Sequence, residues 1–227
     1  MQTLTDIINN FKSINLGKNI QEILSKPISI LTIAGLILIL LALIKIKKVR
    51  LNIRIMSQIG VMLALATVLK ICRVYHFPQG GSITIGSMVP ILLMSLFYGP
   101  EIGFLTGGLY GIITLIMDPF IVHPTQVLFD YPLPFLVLGI AGYFRNNKLL
   151  GCGIAIFMRY ICHVISGVIF FGSYAPKGTS PLMYSLSVNT SIVGPDGIIC
   201  LIIIALLPIE RLYSLVNSRE RQVNITK

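Results

Sequence analysis

Residues 122–142 read VHPTQVLFDYPLPFLVLGIAG. One carboxylate, Asp130, stands in the middle of a segment otherwise composed for hydrocarbon. Pro132 and Pro134 follow within four residues. Proline lacks the backbone N–H and crowds the preceding turn, so no unbroken helical ladder can run through this stretch. Burying a carboxylate is costly unless it is paired, and an acid at membrane depth reads as a functional group whose partner must be sought elsewhere. The cheaper alternative places Asp130 at a helix entrance near the headgroups, wet or salt-bridged.

Composition decides the medium. The chain has 227 residues, 55% hydrophobic and 11% charged, with mean hydropathy +0.86, against roughly a quarter charged in soluble domains. This is the composition of an integral membrane protein. Residues 28–44 (ISILTIAGLILILLALI) alone run without a charge for about the minimum length of a spanning helix. The net charge of +10 sits mostly in short loops between apolar runs, the pattern of topology signals and headgroup contacts. Nucleic acid is excluded as a partner on that ground. Cys72, Cys152, Cys162 and Cys200 are scattered through apolar segments without a CxxC, which reads as buried, inert thiols. The first 26 residues lack the basic n-region and cleavage site of a signal peptide, so the first apolar helix is expected to be retained.

Along the chain, residues 1–27 read as a polar, amphipathic segment stopped by Pro27. An extra hydrophobic helix with a basic end, KIKKVR, occupies 28–50. A six-helix membrane domain fills 51–212, with spans expected near 53–74, 82–97 (interrupted by Pro90), 102–117, the Asp130 segment, 149–171 and 192–209. A basic tail closes the chain from 213 to 227. The fold class expected is therefore an all-α integral membrane protein, a six-transmembrane-helix bundle preceded by one extra N-terminal helix. Lys45, Lys47, Lys48, Arg50 and Arg54, then Arg145 and Lys148, then Arg211, Arg219 and Arg221, fall at alternate connections. By the positive-inside rule these ends and the C-terminus are cytoplasmic, and residues 1–26 lie outside.

Three features of the spans carry information. Gly60 and Ala64 form a small-xxx-small pair, suited to a partner helix or to internal packing. Gly103, Gly107, Gly108 and Gly111 recur at three- and four-residue spacing, and here internal packing is expected. Arg159 and His163 are four apart within an apolar run, hence on one helical face. With Asp130 they suggest a polar cavity. Residues suited to line it are Asp130, Tyr131, His163, Tyr174, Tyr184 and Asn189, with Phe170 and Phe171 as walls. Tyr174 and Tyr184 could equally be interfacial belt aromatics. An anion, neutral donors and acceptors, and aromatic rings suit an organic cation bearing a hydrogen-bonding heterocycle. No HExxH, phosphate loop or dinucleotide fingerprint is present. This inventory binds rather than catalyses, and it calls for no cofactor.

The runs GSMVPILLMSLFYGPEIGFLTGGLYG, VHPTQVLFDYPLPFLVLGIAGYFR and CHVISGVIFFGSYAPKGTSPLMYSLSVN resemble the thiamine-specific substrate-binding subunit of energy-coupling-factor transporters. The resemblance covers roughly residues 52–210. It implies a six-helix protein that captures thiamine from outside at high affinity. Delivery would require a transmembrane coupling subunit and two cytoplasmic ATPases, in a bacterial cell membrane. Carried over by motif, Asp130 and Tyr131 would hold the aminopyrimidine, His163 would be the pocket histidine, and Tyr184 and Asn189 the YSLxxN residues. Phe171 would be an aromatic wall, and Arg159 a basic group ordering the pocket by pairing with an acid. Gly60–Ala64 would be the contact with the coupling subunit. The chain departs from the family pattern in having no tryptophan. Gly80–Gly81–Ser82 and Phe171 stand where the family stacks its ligand on indoles, and Asp130 stands where a glutamate is expected. Tyr75, His76 or Phe77 could compensate. The first outer loop and residues 172–189 are expected to close over ligand, with Gly80, Gly81, Gly172 and Gly178 supplying flexibility. The alternatives are a self-sufficient secondary transporter, a subunit of the same class for a related pyrimidine or vitamin precursor, and an intramembrane enzyme using Asp130 and His163.

Overall fold

The computed structural model describes residues 4–26, 51–77 and 81–215, with isolated positions between 30 and 37. The extra helix expected at 28–50, Gly80 of the first outer loop and the tail beyond 215 lie outside the described residues.

Two short amphipathic helices come first, α1 (Leu4–Ser13) and α2 (Leu16–Leu24). Asn15 caps α2 by accepting from the Lys18 N–H at 3.1 Å. Helix α3 (Ile53–Ile71) opens on Asn52, whose side chain accepts from Ile55 N–H at 2.8 Å. A two-residue antiparallel hairpin follows, β1 (Tyr75–His76) and β2 (Ser82–Ile83). Then come α4 (Val89–Tyr98), α5 (Pro100–Met117), α6 (Pro124–Asp130), α7 (Pro132–Leu136), a 3-10 segment (Val137–Phe144) and α8 (Lys148–Phe170). A 3-10 turn (Gly172–Tyr174) leads to α9 (Pro181–Leu206). Five segments are long and apolar enough to cross a membrane: 53–71, 100–117, 124–144, 148–170 and 181–206. The shorter apolar α4 makes the sixth, so the all-helical six-span architecture expected from sequence is borne out.

Two expected boundaries are corrected. The span expected at 82–97 starts only at Val89, because 82–88 form β2 and a turn with Gly86 at φ 96°. Pro90 therefore begins the helix rather than interrupting it. In a first turn its missing N–H has no intrahelical partner to lose. Every residue of α4 from Val89 to Phe97 is buried, so α4 is the core post around which the others pack. The span expected at 192–209 begins at Pro181. Ser180 caps it by accepting from Met183 N–H, and Pro181 occupies the first turn.

The break expected in the Asp130 segment is present. Tyr131 (φ −115°, ψ −77°) separates α6 from α7, and the chain runs on as a 3-10 segment. Small residues make room for this irregular backbone. A Cβ on Gly107 would meet the Phe135 carbonyl, one on Gly111 would meet Pro132, and one on Gly103 would lie 2.6 Å from Ser95 Oγ. The glycine stripe of α5 thus packs internally, as read from its spacing. Ser95 donates to the Gly139 carbonyl at 2.8 Å, and Tyr110 donates to the Ala66 carbonyl at 3.0 Å. The core holds Met88, Ile91, Leu92, Tyr110, Leu138 and Ile204, all fully buried. Cys152, Cys162 and Cys200 are buried and Cys72 half-buried, all as free thiols.

The connections sort to two ends. The hairpin, residues 118–123 and residues 171–180 share one end, joined by Arg73–Asp118 and by ring stacks of Phe120 on Phe171 and His123 on Phe170. At the other end Arg145 donates to the Phe97 carbonyl, and Lys148 to the carbonyls of Ala205 and Leu207.

Candidate functional site

At the hairpin end the backbone break of the Asp130 segment opens beside a cavity of about 160 Å³. It lies among α3, the hairpin, α5, α6, α8 and α9. The break puts Asp130 at the last turn of α6, where Gln126, one turn earlier, donates its amide to Asp130 Oδ2. Gln126 is itself buried; it donates to the Phe120 carbonyl at 3.1 Å and accepts from Val122 N–H at 3.2 Å. The other carboxylate oxygen of Asp130 faces His163 Nδ1 at 3.4 Å. Asp130 is thus a partly buried carboxylate with two polar partners and an open side toward the cavity.

Arg159 lies one turn below His163 on α8, at the cavity floor. It is 9% exposed, and its guanidinium carbon sits 4.3 Å from the centroid of the Phe135 ring. Its Nε and Nη1 make no hydrogen bond. Family resemblance implied a pairing with an acid; no ion pair to Arg159 forms among the described residues. The floor also holds Asp196 of α9, 2% exposed, which accepts from Thr84 through its N–H at 3.0 Å and its hydroxyl at 2.6 Å. Lys70 of α3 and Asp118 complete the charged groups of the wall. Burying the Arg159 donors unpaired is costly, and the contact of the guanidinium with the Phe135 ring offsets part of that cost.

The aromatic side is built from Phe120 and Phe171, whose rings stack 6.1 Å apart at 19°. Phe77, Tyr131, Phe135 and Tyr184 also line the cavity. The Tyr131 hydroxyl is fully engaged, donating to the Asp118 carbonyl at 2.8 Å and accepting from Phe120 N–H at 2.6 Å. Tyr131 is therefore a post for the 118–120 wall, with only its ring presented inward. Asn189, on the third turn of α9, donates to the carbonyls of His163 (3.2 Å) and Ser185 (2.9 Å), tying α9 to α8 beside the site.

Of the residues expected in a pocket, Asp130, Tyr131, Arg159, His163, Phe171, Tyr184 and Asn189 come together. Tyr174 does not. It is 50% exposed beyond the cavity, with its ring 6.0 Å from that of Phe171. Phe170 stacks outside on His123. Of the residues offered as substitutes for tryptophan, Phe77 lines the cavity, while Tyr75 is exposed and packs edge-on against Phe77 at 4.7 Å. His76 sits in a cluster at the rim, 3.2 Å from Arg73 Nη1 and 3.9 Å from Asp118 Oδ2. Burial holds its imidazole below the usual histidine range, against the pull of Asp118. Sequence reading missed Gln126, Asp196, Lys70 and Phe120. Gln126 stood four residues before Asp130, and Asp196 was a second acid inside an apolar span; both signals were present. Gly60 and Ala64 are exposed on α3, and nothing among the described residues lies within 4 Å of a Cβ on Gly60.

Comparison with known proteins places this architecture. The profile of the family described as "Thiamine transporter protein (Thia_YuaJ)" matches residues 56–216. The chain is 40% identical over 169 residues to the thiamine transporter ThiT of Bacillus subtilis, covering 66% of this chain and 88% of that protein. It is 31% identical over 122 residues to the thiamine transporter ThiT of Lacticaseibacillus paracasei, covering 45% of this chain and 61% of that one. A solved structure of ThiT from Listeria monocytogenes superposes with a TM-score of 0.59 at 23% identity, covering 70% of this chain and 96% of that chain; it shares the fold. With a family profile spanning most of its length, this chain belongs to the thiamine transporter protein family.

Proposed function

We propose that this protein is the thiamine-capturing subunit of an energy-coupling-factor transporter in a bacterial cell membrane. Its 51–212 domain forms the binding bundle, and its C-terminus is cytoplasmic. Family membership supports the ligand. The observation that carries the mechanism is a cavity lined both by a hydrogen-bonded carboxylate and by a stacked aromatic pair. Thiamine offers an aminopyrimidine that donates hydrogen bonds and a cationic thiazolium. Asp130, held by Gln126 and His163, accepts from the aminopyrimidine. Phe171 and Phe120 give the thiazolium a π-face, worth about 0.5–2 kcal/mol where a cation meets such a face away from water. Asn189 orients His163 through its backbone carbonyl, and Tyr131 and Tyr184 shape the walls. Arg159, packed on the Phe135 ring, closes the floor. The protein binds and releases thiamine unchanged.

Release to the cytoplasm proceeds with a transmembrane coupling subunit and two ATPases. The support for that partnership is the exposed small face at Gly60 and Ala64, where a foreign helix can approach α3 closely. Closure over the ligand falls to the hairpin loop and to residues 172–180, because 181–189 are already helical. Calorimetric titration of the detergent-purified protein with thiamine, with riboflavin and biotin as controls, tests the reading. Sub-micromolar binding of thiamine alone is expected; binding of none of the three, or of a control instead, refutes it.

A further inference from the structure

We infer that the N-terminal helix pair positions one wall of the ligand cavity, with Asn19 as the positioning residue. The inference rests on the thiamine reading above, and it concerns residues that lie before the family match at 56–216. The last carbonyls of a helix have no partner within it. At the end of α5 two of them are taken by a side chain nearly a hundred residues away: Asn19 donates its amide to the Ile116 carbonyl at 3.1 Å and the Met117 carbonyl at 2.8 Å. The next residue is Asp118, whose side chain lines the cavity and pairs with Arg73 at 3.4 Å. Three residues further, Lys26 donates to the Ile121 carbonyl. Between these two polar contacts Ile23, the buried residue of α2, packs with Leu115, Ile121, Val127 and Tyr131. Helix α1 adds a bond from Asn10 to the Ile71 carbonyl at 3.4 Å, in the last turn before Arg73.

Residues 118–121 are therefore gripped from both sides. On the inner side the Tyr131 hydroxyl holds Asp118 and Phe120; on the outer side α2 holds Met117 and Ile121. Phe120 is the inner partner of the stack on Phe171, so the rigidity of this segment sets how firmly the aromatic wall stays closed. Loosening the outer grip opens the wall without removing any group that touches the ligand. Dissociation should quicken while association, which starts from an open site, should barely change.

The test uses the full-length protein and radiolabelled thiamine. Asn19→Asp keeps the shape of the side chain but replaces the donor with an acceptor facing two carbonyls. Removing two hydrogen bonds of ordinary strength should speed dissociation about tenfold and lower the thermal midpoint of the ligand-free protein, with the association rate held. Lys26→Met should give a smaller change in the same direction, and Lys18→Ala, on the exposed part of α2, none. A dissociation rate unchanged in both Asn19→Asp and Lys26→Met, with the parent protein binding thiamine, overturns the inference. If the parent protein binds no thiamine, the thiamine reading fails on its own. Hydrogen exchange at 118–122 in the ligand-free protein then decides the grip: faster exchange in Asn19→Asp supports it, and unchanged exchange overturns it.

Discussion

Replacing Asp130 by asparagine removes one charge and leaves the volume in place. Asp130 Oδ2 accepts from Gln126, and Oδ1 faces His163 Nδ1 at 3.4 Å. An asparagine can keep its oxygen toward Gln126 and turn its amide toward His163, which then accepts at Nδ1 in its other neutral tautomer. The network among Gln126, Phe120 and Val122 survives, so the ligand-free fold should survive too. What is lost is a charge-assisted acceptor for the aminopyrimidine, worth about 1.5–3 kcal/mol. The Asp130 side chain is only 18% exposed, so solvent screening takes little from that value. At about 1.4 kcal/mol per decade, thiamine should bind roughly 10- to 150-fold more weakly to Asp130→Asn. Calorimetry on both proteins in the same detergent reads the ratio, and thermal midpoints without ligand check the fold. A variant that binds within about twofold of the parent, inside the scatter of ordinary surface substitutions, would remove Asp130 from the site.

Four further outcomes follow from the same geometry. Phe171→Trp returns an indole to the wall and should strengthen thiamine binding by up to about 1 kcal/mol; weaker binding in calorimetry would mean that Phe120 leaves no room for it. Gly60→Leu or Ala64→Leu should leave thiamine affinity unchanged while abolishing copurification with a coupling subunit, and retained copurification would assign this face another role. Spin labels placed on the hairpin and at 174 should move together when thiamine is added, whereas an unchanged distance would deny closure. His76 is held below its ordinary pKa by burial, so the unfolded chain takes up its proton first. Stability should therefore fall as pH drops below about 6.5, and His76→Gln should lessen that slope in thermal scans; identical slopes would place the titration elsewhere.

Much of the fold was legible because hydrocarbon imposes simple rules. Uncharged runs gave the spans, and Pro132 and Pro134 gave the break, since a missing N–H cannot be replaced in a continuous ladder. Arg159 and His163 were legible as one helical face, and the cavity does join them to Asp130. The boundaries misread from sequence share one cause. Hydropathy marks where lipid begins, but a helix begins at its cap. Ser180–Pro181 carried that start signal and was outweighed by the polar run YSLSVN that follows; Pro90 was the same signal read as a flaw. The charged wall was less legible. Lys70 stands near the end of an apolar run, and nothing in the sequence says which face of α3 it takes; only the folded helix shows that it lines the cavity. The grip of α2 on α5 joins Asn19 to Met117, 98 residues apart in the chain, and no local pattern announces such a pairing.

The central claim is that thiamine occupies this one cavity, between Asp130 and the Phe120–Phe171 pair. Determining the structure of the thiamine-bound protein tests it most directly. The aminopyrimidine is expected within hydrogen-bond distance of the Asp130 carboxylate, and the thiazolium against Phe171. Thiamine bound elsewhere on the bundle, or in this cavity with Asp130 still turned wholly to Gln126 and His163, would contradict it.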